Sequence, residues 1–215
     1  MAVSKVEICN MALAHIGRSA TLIESIDERS VEARQCRLWY EPCRREVLEA
    51  HDWHFARRRL ALALHADDPP DQWGYRYQLP SDLIAVRSIE NPFAAGTVFT
   101  RFDPTANWGS LTDAVAYELE VADSGEEVTL LTDMQDAVLF YTRDQEATAT
   151  FPALFVNALS HYLAGKVAMA LTGKKQIQDD QAGAFRQALR VASASSANQS
   201  VALPGRDAEA IRARA

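Results

Sequence analysis

One long apolar run, from Phe151 to Leu171, constrains the fold of this chain more than any other feature. From Leu154 onward its apolar residues cover more than one face of a helix, so the helix should be buried on most sides. Pro152 suits a first helical position, where its missing N–H costs nothing. Gly173 follows the last apolar residue and predicts a left-handed helix end. The run therefore predicts a central core helix.

A second helix should turn back antiparallel to the first. Apolar or small residues recur at helical spacing after Gly173 and draw one stripe: Ile177, Ala184, Phe185, Ala188, Leu189 and Ala192. Lys174 and Lys175 lie where the negative end of the first helix dipole favours cations. The first run is long enough to span a membrane, but Asn157, Ser160, His161 and Lys166 interrupt it, so we interpret it as a soluble core helix.

The first 57 residues carry two further helical patterns. Apolar residues from Val6 to Ile16 predict a first helix that Gly17 ends. Ser30 is a plausible N-cap for a second helix, whose seam has strict three- and four-residue spacing: Ala33, Cys36, Tyr40, Cys43, Val47 and Ala50. Pro42 interrupts this seam and predicts a kink or a short break near Trp39 to Glu41.

After Phe55 the pattern changes from helical to alternating. Short runs rich in β-branched or aromatic residues, including TVFTRF and AVLFYTR, alternate with Pro-, Asn- and Gly-containing turns, which predicts six or seven strands. The expected fold is mainly α with a β insertion (α+β): a bundle of about four helices, an inserted small antiparallel β region and a flexible C-terminal tail. The expected divisions are 1–57, 58–148, 149–197 and 198–215.

Composition limits the classes of function. The chain has 215 residues, 48% of them hydrophobic, and a formal net charge of -7, which argues against gripping nucleic acid through the net field. The sequence has three cysteines, no CxxC pair and no secretory segment. Reduced, buried thiols in a cytosolic compartment are the prediction.

Catalytic and metal-binding interpretations have few residues to build on. His51 and His54 are spaced to share a helix face as metal ligands, but the sequence shows no clear third ligand. Cys36 and Cys43 could join them, although a packed helix seam also explains both. Cys43, beside two arginines, could be a nucleophile with His51 or His161 as base. No phosphate loop, nucleophile elbow or zincin motif is present, and we expect no enzyme, no metal and no cofactor.

Five sequence blocks in order carry a family resemblance: ICNMALAHIG, ARQCRLWYEPCRREVLEAHDWHFARRRLAL, YRYQLPSDLIAV, TDMQDAVLFYTRDQ and FPALFVNALSHYLAGKVAMALTG. Together they resemble the tail tubular protein A family, the head-to-tail adaptors of tailed bacteriophages. The resemblance runs from about Val6 to Ala192. It implies the same helical bundle with a β insertion.

The resemblance also implies a function. It implies a structural virion protein at the head–tail junction, made in the host cytoplasm, that forms a ring of twelve copies beneath the portal. Such a ring extends the DNA channel, lets double-stranded DNA pass without sequence-specific binding and attaches the tail. The expected partners are the portal protein, further copies of the chain, and either a tail nozzle or a head-completion protein, with no membrane. A cellular helical interaction module and a Cys/His-dependent enzyme stay open as alternatives.

Three sets of residues are candidates for contacts in such an assembly. Val201, Leu203 and Ile211 would anchor the C-terminal tail on the portal, although a frayed terminus explains the tail equally well. A basic set would face DNA or the portal, although a solvated helix end is the default explanation of the three arginines: Arg57, Arg58, Arg59, Lys174 and Lys175. Three acidic pairs are candidates for a channel wall that repels phosphates, although solvated turns are the simpler explanation of each pair: Asp67–Asp68, Glu126–Glu127 and Asp179–Asp180.

Overall fold

The structure is a computed structural model that describes residues 3–90 and 115–199. Within these residues the chain forms four α-helices, six strands and two short 3-10 helices, His54–Ala56 and Thr148–Thr150. The elements in chain order are α1 (Lys5–His15), α2 (Val31–Glu49), β1 (Arg57–Ala61), β2 (Tyr75–Gln78), β3 (Leu83–Glu90), β4 (Glu118–Val121), β5 (Val128–Thr132), β6 (Val138–Arg143), α3 (Ala153–Thr172) and α4 (Lys175–Ala197).

The predicted mixed α+β class is confirmed. All six described strands lie between α2 and α3 in the chain, and they form two small antiparallel sheets with strand orders β1-β6-β3 and β2-β5-β4. In the second sheet Leu130 is opposite both Tyr77 on β2 and Leu119 on β4. The predicted strand TVFTRF, at 97–102, lies outside the described residues.

The described residues divide into two compact units. The helical unit comprises 3–58, Asp82–Ala85 and 142–199, and the β unit comprises Arg59–Ser81, 86–90 and 115–141. Strands β1, β3 and β6 each have residues in both units.

Helix α3 lies at the centre of the helical unit, as predicted. It packs against α1, α2 and α4, and Phe155, Leu159, Leu163 and Val167 are fully buried along it. Each such side chain contributes about 1.5–3 kcal/mol through burial. Leu154 and Met169 are exposed, so α3 is covered on most sides but not on all.

The helix ends follow local chemistry. Ser30 caps α2 through the N–H of Ala33, and Gly173 ends α3 with φ 67°, both as predicted. Pro152 lies at the N-cap, one position before the first helical residue, so its predicted placement was wrong by one residue. The capping box of Ser4 and Glu7 on α1 was not anticipated.

Of the kink or short break predicted near Pro42, the break is wrong. Helix α2 is continuous from Val31 to Glu49 with Pro42 inside it. A proline removes the N–H that would bond to the carbonyl four residues earlier, which belongs to Leu38. Leu38 and Pro42 are both exposed, so water can satisfy that carbonyl and the helix need not break.

The β unit has a smaller core of its own. Tyr77, Leu130, Leu131 and Leu139 are buried there, and the Tyr77 hydroxyl donates to the carbonyl of Met134 at 2.9 Å. Strand β4 is exposed along its whole length and lies at the edge of its sheet. An exposed edge strand is a surface on which another chain can pack.

Candidate interaction surfaces

The predicted basic cluster Arg57–Arg58–Arg59 is compensated by acids. Arg57 donates from Nε and Nη2 to the two carboxylate oxygens of Asp52 at 2.7 and 2.6 Å. Arg58 lies 3.2 Å from Asp82, and Arg59 lies 3.1 Å from Glu90. Because β1 alternates its side chains, the three guanidinium groups do not form one basic face. Arg59 also stacks over the Phe140 ring.

Lys174 and Lys175 lie in the turn between α3 and α4. Both are exposed, and neither forms an ion pair with the described part of the chain. Lys175 is the first residue of α4, so it lies near the positive end of that helix dipole as well as the negative end of α3. The predicted dipole stabilisation is therefore partly cancelled. Asp179 and Asp180 follow one turn later and are exposed.

In each of the two acidic pairs of the β unit, one carboxylate lies near a His or Arg side chain and the other forms no ion pair with described residues. Asp67 lies near His65 and Arg76, and Glu127 lies 2.7 Å from Nε2 of His65. Glu126 and Asp68 are exposed and form no ion pair with described residues. Only one member of each pair is therefore available to a ligand or partner as an uncompensated charge.

The His51 and His54 candidates are part of the packing around Trp53. The His51 ring meets Trp53 edge-on at 5.0 Å, and His54 Nδ1 lies 3.0 Å from the Ser196 hydroxyl. The nearby cleft has a volume of about 20 Å³, which holds a single water molecule and no organic substrate. Residues 3–90 and 115–199 contain no group of three His, Cys, Asp or Glu side chains positioned to hold a metal.

All three cysteines are buried and free, as predicted. Cys9 and Cys36 share a hydrogen bond, which together with burial raises the pKa of Cys9. Burial raises the pKa of Cys43 to about 12. A thiol with that pKa is protonated at neutral pH, and only the thiolate is a good nucleophile. The environment of Cys43 therefore opposes the nucleophile interpretation.

A polar network that the sequence patterns did not reveal joins α1, α3 and α4. The rings of His15 and His161 stack with centroids 4.0 Å apart. Gln181 accepts from His161 Nδ1 at 2.8 Å and donates to the His15 carbonyl at 3.1 Å. The Ser160 hydroxyl donates its one hydrogen to the Asn157 carbonyl. It therefore accepts from His15 Nε2, which lies 3.1 Å away.

In these hydrogen bonds the donors are Nε2 of His15 and Nδ1 of His161, because each meets an oxygen that accepts. Burial, and then the charge of His161, lowers the pKa of His15. The sequence held one signal of this network: Ser160 and His161 interrupt an apolar run. A buried polar residue needs a hydrogen-bond partner, so their position indicates that partners exist. The sequence alone does not show which partner each residue meets.

The outer face of α2 and the loop before it carry exposed arginines and exposed apolar side chains together. Arg29 and Arg34 are exposed and form no ion pair with described residues, while Arg37 lies 3.7 Å from Asp27. Val31 and Leu38 are 51% and 60% exposed. A shallow depression of about 390 Å³ lies between these arginines, Asp27, Glu28 and Ser30.

The hairpin of β4 and β5 has the opposite charge and a similar apolar content. Residues 115–142 contain seven acids and no lysine or arginine: Glu118, Glu120, Asp123, Glu126, Glu127, Asp133 and Asp136. Leu119, Val121 and Val128 lie on one face of the hairpin, as their register shows, and each is close to half exposed. Acidic and apolar groups are therefore available together.

Two remaining expectations need separate mention. The tail residues Val201, Leu203 and Ile211 lie outside the described residues. Among the described helices, α3 is long and apolar enough to cross a membrane by length and composition, with 56% of that window buried. The core helix of a soluble protein gives the same result.

A search of protein-family models finds no match to this chain, and a search of curated proteins finds none either.

Proposed function

We propose that this chain is a structural virion protein, a head-to-tail adaptor of the tail tubular protein A type. Twelve copies form a ring beneath the portal of a tailed bacteriophage. The ring extends the DNA channel and provides the surface to which a tail nozzle or head-completion protein attaches. The ring catalyses no reaction, and the chain joins the head–tail junction after its synthesis in the host cytoplasm.

The observation that carries the proposal is where the five resembling blocks lie in the fold. ICNMALAHIG comprises most of α1, and the second block runs through α2 into β1. The last block supplies α3, against which the other three helices pack. A resemblance that lies on core elements in chain order supports a common fold more strongly than one confined to surface loops.

The finer part of the fold is also a proposal. We infer that the four helices act as a single bundle whose long outer faces form the lateral contacts of the ring. A heterologous contact repeated around a closed rotation produces a ring, and it needs two different faces on each copy. The exposed face of α2 and the exposed β4–β5 hairpin meet that requirement.

The chemistry of the described residues gives less support to an enzyme. Cys43 is fully buried with a raised pKa, and the cleft beside His54 has room for one water molecule. A nucleophile needs a thiolate and access to substrate. Activity lost on substitution of Cys43 or His51, with assembly intact, would favour the enzyme.

The direct test is to mix the purified chain with portal rings of the same virion and to image the product. We expect one ring of this chain on each portal, with the channel continuous through both. A portal that stays bare at saturating concentrations of the chain would overturn the proposal.

Deletion of 200–215 sharpens this test, because the proposal places the portal contact of the tail at Val201, Leu203 and Ile211. We expect the shortened chain to unfold cooperatively at an unchanged midpoint and to lose portal docking. The matched control replaces those three residues by serine at full length. Docking that persists in both variants would show that the tail has another role.

A further inference from the structure

Two exposed surfaces of this chain complement each other in charge and in apolar content. The α2 surface comprises Arg29, Val31, Arg34, Arg37 and Leu38. The hairpin surface comprises Leu119, Val121, Asp123, Glu126 and Val128. One surface is basic around an apolar ridge, and the other has an apolar face with acids at the turn between β4 and β5.

We propose that the hairpin surface of one copy docks on the α2 surface of the next copy. This inference rests on the proposed ring, and it names the two faces that form the lateral contact. The occupant of the α2 surface is therefore a second copy of this chain.

Within residues 3–90 and 115–199, no part of the chain covers the apolar side chains of these two surfaces. Leu38 is 60% exposed on α2, and Val121 is 54% exposed on β4. When α2 of one copy packs on the hairpin of the next copy, these side chains are removed from water, and that burial stabilises the contact. The apolar groups would supply the centre of the contact, and the charges its rim.

The charges decide which surfaces meet. Arg29 and Arg34 have no ion-pair partner among residues 3–90 and 115–199, and the same holds for Glu126. Two copies presenting the same surface to each other would bring like charges together, which costs several kcal/mol. The contact between unlike surfaces is therefore favoured. Such a heterologous contact leaves one free surface of each kind at the two ends of a row of copies, and the two ends meet when the row closes into a ring.

Both surfaces stand on features that hold their shape. The N-cap of Ser30 fixes the start of α2 beside Arg29 and Arg34. The hairpin is held by the antiparallel register of β4 and β5, and Thr129 donates to the Glu120 carbonyl at 3.0 Å. Preformed surfaces lose little conformational entropy on association.

The test uses sedimentation velocity over a concentration range, with two charge-reversed variants of the full chain. The first variant is Arg29→Glu with Arg34→Glu, and the second is Asp123→Lys with Glu126→Lys. The matched control is Arg186→Glu with Arg190→Glu on α4, which changes the net charge by the same amount as the first variant at two exposed positions.

We expect concentration-dependent association in the unmodified chain and in the control. Each variant alone should associate at least about tenfold more weakly, because its two surfaces then have the same sign. An equal mixture of the two variants should recover association, since acidic and basic surfaces are again available between unlike copies. A merely destabilised variant would not recover on mixing.

Three results would overturn the inference. These are an unmodified chain that stays monomeric at every concentration, variants that associate like the control, and a mixture that shows no recovery. The portal-imaging experiment separates these outcomes from failure of the proposed function. Rings of charge-reversed copies on portals would refute these surfaces and leave the adaptor function supported, whereas bare portals with the unmodified chain would refute the function.

Discussion

Arg44 in the helical unit and Arg76 in the β unit are both buried, but their guanidinium groups are satisfied very differently. Arg44 donates to Glu41, to Asp144 at 2.5 Å and to the Gln145 carbonyl at 2.8 Å. Arg76 donates to Glu120 at 3.1 Å, and its Nε and Nη1 make no hydrogen bond within the described residues. A buried charge stabilises a fold only when its donors are paired.

The difference extends to the acids around each arginine. Asp144 is 10% exposed and lies between Arg44 and Arg45. Burial alone would raise the pKa of Asp144, but the hydrogen bond and charge of Arg44 lower it. The acids near Arg76 are more exposed than Asp144: Asp67 is 34%, Glu120 47% and Asp123 82% exposed. The helical unit therefore depends on a few specific contacts, whereas the β unit relies on looser ones that water can replace.

The largest effect is expected from placing a charge in the helical core. Leu163→Asp should destabilise the helical unit by more than about 4 kcal/mol, because the carboxylate would be buried without a partner. Far-UV circular dichroism during denaturant unfolding measures the loss. The matched control, Val121→Asp, places the same charge on exposed β4 and should change stability by less than about 1 kcal/mol. A soluble, fully helical Leu163→Asp chain would contradict the core position of α3.

The two buried arginines should differ in the same assay. Arg44→Leu should cost about 3 kcal/mol, because Asp144 would keep only Arg45 as a charged partner. Arg76→Leu should cost less than about 1 kcal/mol, since the Arg76 guanidinium makes one hydrogen bond to a described residue and the acids it loses can be solvated by water. Arg44→Lys is a useful intermediate, because lysine keeps the charge but loses the planar fork. Equal losses for both leucine variants would remove the distinction between the units.

The smallest effect is expected from the His15–His161 network. The folded pKa of His15 is below its ordinary value of 6.5, so the unfolded chain binds a proton first as the pH falls. The stabilising contribution of neutral His15 is therefore fully present above about pH 6.5 and is lost as the pH falls through the folded pKa. His15→Gln should flatten the dependence of unfolding free energy on pH between 7 and 5. An unchanged slope would show that His15 is not the group responsible.

Much of the helical unit follows from local signals in the sequence. The apolar run of α3, the serine before α2 and the glycine after α3 predicted those elements because caps and burial act over a few residues. Pro42 misled the prediction, because the cost of an internal proline depends on whether the freed carbonyl faces water. That information belongs to the packing and not to the local sequence.

The candidate surfaces were less predictable. Three consecutive arginines suggested a basic face, but β1 turns Arg58 away from its neighbours and brings each arginine to a different acid. Asp52, Asp82 and Glu90 are the partners of these arginines, but they are spread along the chain. No short sequence pattern links them to the three arginines. Only the exposure of each residue in the structure revealed the exposed faces of α2 and the β4–β5 hairpin. Leucine and valine usually lie in a protein core, so the identities of Leu38 and Val121 gave no sign that they are exposed.

The sequence by itself determined the helices, the start of α2 at Ser30, the end of α3 at Gly173, the β insertion and the burial of the cysteines, because each depends on periodicity or on neighbours within a few positions. Tertiary structure alone decided which charges are paired and which apolar side chains stay exposed. It stacks His15 on His161, compensates Arg57 with Asp52 and leaves Arg34 without a partner among the described residues. Pairing and exposure depend on distances between segments remote in sequence, which the folded chain sets and local patterns do not encode.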